Sequence, residues 1–143
     1  MARKLVDVQL NIERKARNNL SRSELYDEGG DGIKIGRQIE LWEKFNDYSI
    51  VYFQGEYKNG RKVGRWDIYF KDYDLNFKKI GGGSYDEKGN GIKNGIWNEI
   101  NDCFKNSNLI LDNGEYKNGK RIGTWIQVDL KKIIKHSELK KDN

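Results

Sequence analysis

The amino-acid sequence predicts a mainly β repeat protein with a short helix at each end, and three observations support this fold class. The chain repeats itself at an interval of 59 residues, and self-similarity at a fixed spacing is the signature of a repeat architecture. Two Asn-Gly pairs, at 59–60 and 118–119, stand between stretches rich in strand-forming residues, which is typical of tight β-hairpins. After the first pair, apolar and polar side chains alternate as they do in a strand with one buried face.

The repeat appears when residues 26–66 are aligned with residues 85–125 without a gap. In this alignment 18 of 41 positions are identical. The longest identical stretch reads Gly-Glu-Tyr-Lys-Asn-Gly, at 55–60 and again at 114–119. Each unit divides into two related halves that share a Tyr, an Asn-Gly pair and a Trp. Four half-units therefore fit between residues 23 and 128, and we expect each of them to form a hairpin.

Two details of the repeat bear on how its tryptophans pack. Gly64 and Gly123 each stand two residues before a Trp, and we expect them to make room for the indole on a neighbouring strand. In the first half-unit Gln38 stands where the second copy has Trp97, and Trp42 follows four residues later. The register of the segment 23–53 therefore stays open.

The two ends of the chain are predicted to be helical. Residues 1–22 read as a basic amphipathic helix, although an alternation of apolar residues over 6–12 also permits a strand. The apolar positions that favour the helix are Leu5, Val8, Ile12, Ala16 and Leu20. Residues 129–143 are predicted to form a C-terminal helix and tail that Asp129 caps. Helices at both ends would cover the exposed edges of an open sheet.

Composition limits the location and the partners of the protein. Cys103 is the only cysteine, so no intrachain disulfide can form and we expect a reducing, cytoplasmic location. No apolar run is long enough for a secretory signal or for the ~20 residues of a membrane span. An organelle transit peptide stays open at the basic N-terminus, although Asp7 and Glu13 argue against it. The net charge of +5 permits attraction to anionic membranes or nucleic acid.

The element Gly-x-Tyr-x-Asn-Gly-x-x-x-Gly-x-Trp resembles the MORN (membrane occupation and recognition nexus) repeats, above all the variant with Asn-Gly-Lys and Gly-x-Trp. The resemblance extends from Tyr26 to Val128, and the long unit is also similar in style to multi-copy repeat proteins of ciliates. It implies a single-layer antiparallel β-meander in which hairpins stack into an elongated, curved sheet. It also implies a non-catalytic scaffold, a dimerisation module or a surface that binds protein or lipid.

No arrangement of residues predicts an enzyme, a cofactor or a metal site. The glycines at 30–36 and 89–95 miss the dinucleotide-binding spacing by one residue. The stretch 27–38 ends on Gln38, where a calcium loop requires a bidentate Glu. His136 is the only histidine, and with no Cys or His near it no zinc site or nucleophile–His arrangement follows. The recurring carboxylates Glu40 and Glu99 are expected to pair with neighbouring cations.

Two sets of residues are candidates for binding and structural roles. Basic residues at the hairpin tips are candidates for an anion or partner site: Lys58, Arg61, Lys62, Arg65, Lys117, Lys120 and Arg121. Recurring aromatic residues are predicted to form a stacked structural spine: Tyr57, Trp66, Tyr85, Trp97, Tyr116 and Trp125. We expect a non-catalytic module that presents a sheet face to a protein partner, and a homodimer stays open. Alternatives are binding to anionic membranes through the tip cations and binding to nucleic acid.

Overall fold

The computed structural model describes residues 30, 32–42, 50–71, 77–105 and 107–133, which contain one antiparallel sheet of seven strands. The strands are β1 Gly36–Leu41, β2 Ile50–Lys58, β3 Arg61–Lys71, β4 Phe77–Tyr85, β5 Lys93–Ile100, β6 Ile110–Lys117 and β7 Lys120–Asp129. Their order in the sheet is their order in the chain, so every strand pairs only with its sequence neighbours. The prediction of a mainly β meander is confirmed.

The described residues contain little helix. Residues 130–133 are helical, and the Lys131 backbone N–H donates to the Asp129 side chain at 3.0 Å, as at a helix N-cap. The remainder of the predicted C-terminal helix, from 134 onwards, and the predicted helix 1–22 lie outside the described residues. Within the described ranges, no helix has both the length and the apolar character needed to cross a bilayer.

Asn-Gly pairs close two of the hairpins. Asn59 and Gly60 join β2 to β3 with φ angles of 49° and 78°. Asn118 and Gly119 join β6 to β7 with φ angles of 50° and 78°. Positive φ at both central positions is the property of a type I′ turn, whose twist matches that of the flanking strands. The type I′ prediction is confirmed at both sites, and the turn at 86–92 between β4 and β5 lies at the same end of the sheet.

Both Asn-Gly hairpins contain a bulge at the same position of the repeat. Residues 64–66 of β3 lie opposite the single residue Gly55 of β2. Residues 123–125 of β7 likewise lie opposite Gly114 of β6. A bulge of this kind changes which residues face each other beyond it, and here it brings the tryptophan of each hairpin opposite a glycine.

In the first half-unit, the structure defines the register of β1 on β2. Gln38 of β1 lies opposite Gly55, just as Trp97 of β5 lies opposite Gly114. Gln38 therefore occupies the tryptophan position of the repeat. Trp42 lies beyond the end of β1, where its backbone N–H bonds to the Val51 carbonyl at 3.0 Å.

An apolar core forms where the connection between β5 and β6 packs against the sheet. Phe104 lies in this connection and packs edge-on against Trp42 and Phe70, with ring centroids 5.8 and 5.6 Å away. The buried residues of this core are Val51, Ile68, Phe70, Phe104, Leu109, Leu111 and Leu130. Burial of these aromatic and aliphatic side chains gives the sheet its hydrophobic stabilisation.

Candidate functional site

The six aromatic residues of the predicted spine lie in one row across β2 to β7. The order of contacts is Tyr57, Trp66, Tyr85, Trp97, Tyr116, Trp125. Successive ring centroids are 5.1–6.4 Å apart and successive ring planes meet at 76–86°. Edge-to-face contact is a preferred geometry because the positive edge of one ring meets the negative face of the next.

A glycine of the preceding strand lies beneath each indole of this row. A Cβ at any of the three glycines would overlap the ring above it, so no larger residue fits without displacing the indole. The pairs are Gly55 with Trp66, Gly83 with Trp97 and Gly114 with Trp125. The indoles therefore rest directly on the backbone of the sheet.

The prediction that Gly64 and Gly123 make room for the indoles is wrong. The nearest atoms to a Cβ at Gly64 would be those of the Glu87 carboxylate, at 3.3 Å and beyond, and a Cβ at Gly123 would have no neighbour within 4 Å. Both residues instead have positive φ, 60° and 64°, inside the bulges of β3 and β7. Glycine is required there by the backbone conformation, because other residues adopt it at a cost.

A cation also packs against each indole. The three pairs, with the distance from the cationic atom to the ring centroid, are Lys62 Nζ and Trp66 at 4.3 Å, Lys93 Nζ and Trp97 at 4.6 Å, and Arg121 Cζ and Trp125 at 3.9 Å. A cation within about 6 Å of an aromatic centroid is attracted by the ring quadrupole. Each tryptophan thus contacts a glycine of the sheet and a positive charge of the same chain.

The carboxylate of Glu40 holds the cations of the first copy in place. It forms ion pairs with Lys62 at 2.8 Å and with Lys34 at 3.5 Å. The Tyr57 hydroxyl donates a hydrogen bond to the same carboxylate. These four residues are the first charged network.

Glu99 forms the same network 59 residues later. Its carboxylate forms ion pairs with Lys93 and, at 2.8 Å, with Arg121. It also accepts a hydrogen bond from the Tyr116 hydroxyl at 3.0 Å. These four residues are the second charged network.

The networks keep both carboxylates ionised, and they help to keep Tyr57 and Tyr85 neutral. Burial by itself raises the pKa of Glu40 and of Glu99, but their hydrogen bonds and cations outweigh it and hold each pKa below its ordinary value. Burial and the bond to Glu40 raise the pKa of Tyr57, and burial together with Glu40 and Glu99 raises that of Tyr85 to about 12. At neutral pH the carboxylates accept hydrogen bonds and do not donate protons.

A half-open cavity of about 270 Å³ lies between the two networks. Its apolar lining includes Phe53, Trp66, Ile68 and Trp97, with Leu41 near the end of β1. Four charged residues line it as well, two from each network: Glu40, Lys62, Lys93 and Glu99. Two carboxylates and two ammonium groups leave the lining without net charge.

The seven predicted tip cations fall into two groups. Lys62 and Arg121 belong to the charged networks, and Arg65 binds Asp67 at 2.9 Å. The remaining four are exposed at the two Asn-Gly turns and form no ion pair within the part of the chain that the structure describes: Lys58, Arg61, Lys117 and Lys120.

Lys34 and Lys93 were missed by reasoning from the sequence, although both bind a network carboxylate. Each stands six residues before its partner, Glu40 or Glu99. This Lys–Glu spacing recurs in both copies, and the recurrence was a signal that could have identified them.

The two networks consist of Glu, Lys, Arg and Tyr side chains, and none of their residues is a histidine or cysteine. Across the described ranges, no group of three or more His, Cys, Asp or Glu side chains could hold a metal ion. No protein-family model, curated protein or solved structure matches this chain. The resemblance to MORN repeats therefore stays a prediction.

Proposed function

We propose that this protein is a non-catalytic binding module that holds a segment of a protein partner in the cavity between the two charged networks. The observation that carries the proposal is the lining of that cavity, which combines apolar walls with a charge-balanced set of two Glu and two Lys. Apolar contact area with a few placed polar groups is the usual composition of a protein-recognition surface.

The size of the cavity favours side chains of a partner over a free small molecule. Its volume of about 270 Å³ lies just below the roughly 300–1,000 Å³ of small-molecule sites. One large apolar side chain, flanked by polar groups that meet Glu40 or Lys62, suits such a space. The cavity is half-open, so a side chain of a partner segment can enter it from solvent.

The same geometry argues against nucleic acid at this place. Lys62 and Lys93 are neutralised by Glu40 and Glu99, so they offer phosphates little attraction. The indole of Trp66 already contacts a glycine and a cation, which limits its use as a stacking platform for bases.

Selection of peptides from a random library displayed on phage tests this proposal. We expect enriched peptides to bind the wild-type protein and to lose about tenfold or more in affinity on Leu41→Glu, which places a charge in the apolar lining. Lys117→Ala, at an exposed hairpin tip, is the matched control and should leave the affinity unchanged. Peptides that bind the wild type and Leu41→Glu equally well would refute the cavity as the site.

A second candidate function is binding to an anionic membrane, and the four exposed tip cations support it. Each contributes about 1 kcal/mol near an anionic surface, and the two Asn-Gly turns place these residues at the same end of the sheet. The test is co-sedimentation with vesicles of phosphatidylserine and phosphatidylcholine. Lys117→Ala/Lys120→Ala should weaken binding, whereas Lys105→Ala/Lys132→Ala, at the opposite end, should not. Equal losses, or displacement by RNA, would count against membrane recognition.

The relationship to MORN repeats is part of the same proposal. A meander whose hairpins close at repeated Asn-Gly pairs supports it. Non-catalytic scaffolding is the role that this resemblance implies.

A further inference from the structure

Three strands carry a tryptophan of the aromatic row: β3, β5 and β7. Of these, β7 alone has an outer edge with no partner strand among the described residues. In the described part of the chain β7 pairs with β6 alone. Two of its isoleucines are solvent-accessible, Ile122 at 36% and Ile126 at 55%. In the first copy, Val63 takes the place of Ile122 and is 7% exposed. An open strand edge with exposed apolar side chains is a template for a further strand.

The chain itself shows which kind of strand covers such an edge. β4 covers β3, the counterpart of β7, with Gly83 opposite Trp66 and Tyr85 opposite Gly64. The covering strand therefore reads glycine, a small hydroxyl residue and an aromatic residue, with Ser84 in the middle. The glycine lies opposite the tryptophan, and the aromatic residue lies opposite the glycine of positive φ.

The pairing of a tyrosine with a glycine of positive φ on the neighbouring strand recurs in this sheet. Gly36 lies opposite Tyr57 and Gly95 lies opposite Tyr116. Gly123 is the equivalent residue of β7, and among the described residues no strand faces its outer side.

β7 carries the covering pattern in its own sequence. Gly123-Thr124-Trp125 has the same order of residue types as Gly83-Ser84-Tyr85. Two antiparallel copies of β7, related by a two-fold axis at Thr124, place Trp125 of each copy opposite Gly123 of the other. This arrangement reproduces both cross-strand pairs that β4 forms with β3, namely glycine opposite tryptophan and an aromatic residue opposite the glycine of positive φ.

We propose that β7 pairs with β7 of a second copy of this chain in that register, to form a two-fold dimer with a continuous sheet. The register also places Ile122 of each copy opposite Ile126 of the other, so that the four exposed isoleucines form two cross-strand pairs. The two threonines meet on the axis, and Thr–Thr pairs are favourable across strands. A self-complementary patch is what a two-fold interface requires.

The charges of β7 fit the same register. Lys120 lies opposite Val128 of the second copy, and Arg121 lies opposite Gln127, so no rung joins like charges. The corresponding strand of the first copy could not pair in this way, because Arg65 replaces Thr124 and two arginines would meet on the axis.

Sedimentation equilibrium of the wild type and of Thr124→Arg tests the dimer. We expect a dimer for the wild type and a dissociation constant at least about 100-fold higher for Thr124→Arg, because like charges would face each other. Arg65 occupies the equivalent place in a folded strand, so the substitution suits the fold. Thr124→Ser is the control and should stay dimeric. A monomeric wild type would overturn the proposal.

Disulfide trapping in a Cys103→Ser background tests the register. Thr124→Cys should form an intermolecular disulfide, because the two side chains are directly opposite. Ile126→Cys alone should not, because its two copies are separated by about four residues, or ~13 Å, along the strands. Ile122→Cys/Ile126→Cys should form one again. Equal trapping at 124 and at 126 would refute the register.

This interface is separate from the proposed binding cavity, since no β7 residue lines the cavity. A monomer that still binds the selected peptides would remove the dimer and leave the proposed function standing. A dimer that binds none of the selected peptides would refute the proposed function and leave the dimer proposal standing.

Discussion

The two copies of the repeat have the same local chemistry, yet they differ in how well it is buried. Trp66 of the first copy is 2% exposed, and its Nε1 donates to the Glu56 carbonyl at 3.1 Å. Trp125 of the second copy is only half-buried overall, and its buried Nε1 has no acceptor in the described ranges. The difference between them is β4, which follows β3 and has no described counterpart beyond β7. Burial in this sheet is therefore supplied by the next strand, as expected for an array stabilised by nearest-neighbour interfaces.

The charged networks show a second difference between the copies. Asp112 replaces Phe53 of the first copy, and Arg121 replaces Lys62. Arg121 reaches Glu99 at 2.8 Å and Asp112 at 3.6 Å. The second copy thus has an additional ion pair where the first has an aromatic contact.

Truncating one tryptophan in each copy should produce the largest difference in stability between the two copies. Trp66→Ala should lower the free energy of unfolding by about 4 kcal/mol, because a fully covered indole is lost. In the Thr124→Arg background, in which the edge of β7 stays open, Trp125→Ala should cost about half as much, since part of the indole surface faces solvent there. Urea unfolding followed by circular dichroism gives both values. Equal losses would mean that β4 contributes little to the burial of Trp66.

Alanine substitutions at Gly83 and Gly123 should have smaller effects on stability than the tryptophan truncations. Gly83→Ala should destabilise the fold by about 2–3 kcal/mol, because the new Cβ would overlap the Trp97 ring. Gly123→Ala has open space around its Cβ and should cost about 1 kcal/mol, from the positive φ alone. Thermal unfolding of the two variants should rank them in this order, and the reverse ranking would refute the role of glycine beneath the indole.

The smallest expected difference concerns the two carboxylates. Because the folded-state pKa of each is lowered, the stability it contributes is complete above its unfolded pKa of about 4.3. That stability is lost as the pH falls through the lower, folded-state pKa. Glu40→Gln and Glu99→Gln should each reduce the destabilisation measured between neutral pH and strongly acidic pH by about 1 kcal/mol. A variant whose acid destabilisation equals that of the wild type would show that its network does not stabilise the sheet.

The hairpin turns could be predicted from the sequence because their cause is local. A type I′ turn needs only positive φ at two adjacent positions, and Asn59 and Gly60 are residue types that adopt positive φ readily. The row of aromatic rings was also predictable, since Trp and Tyr recur with the repeat and a meander brings equivalent positions side by side.

The glycine beneath each indole could not be predicted, because it depends on register beyond a bulge. In a regular hairpin closed at Asn59-Gly60, Trp66 would face Phe53. The bulge opposite Gly55 changes this pairing by two residues, and nothing in the spacing of Gly64 and Trp66 reveals it. The same limit applies to the tip cations, because only the folded sheet shows that Lys62 reaches Glu40 across β2.

The even number of strands in one unit has a consequence for how such a sheet can change length. β1 and β5 are equivalent and four strands apart, so they run in the same direction. Inserting or deleting a whole 59-residue block would leave the direction of every remaining strand unchanged, and all Asn-Gly turns would stay at the same end. A block of half that length would still close hairpins, but it would alter the alternation between short and long turns. A sheet of this kind can therefore gain or lose whole 59-residue units without a change in its pattern of turns.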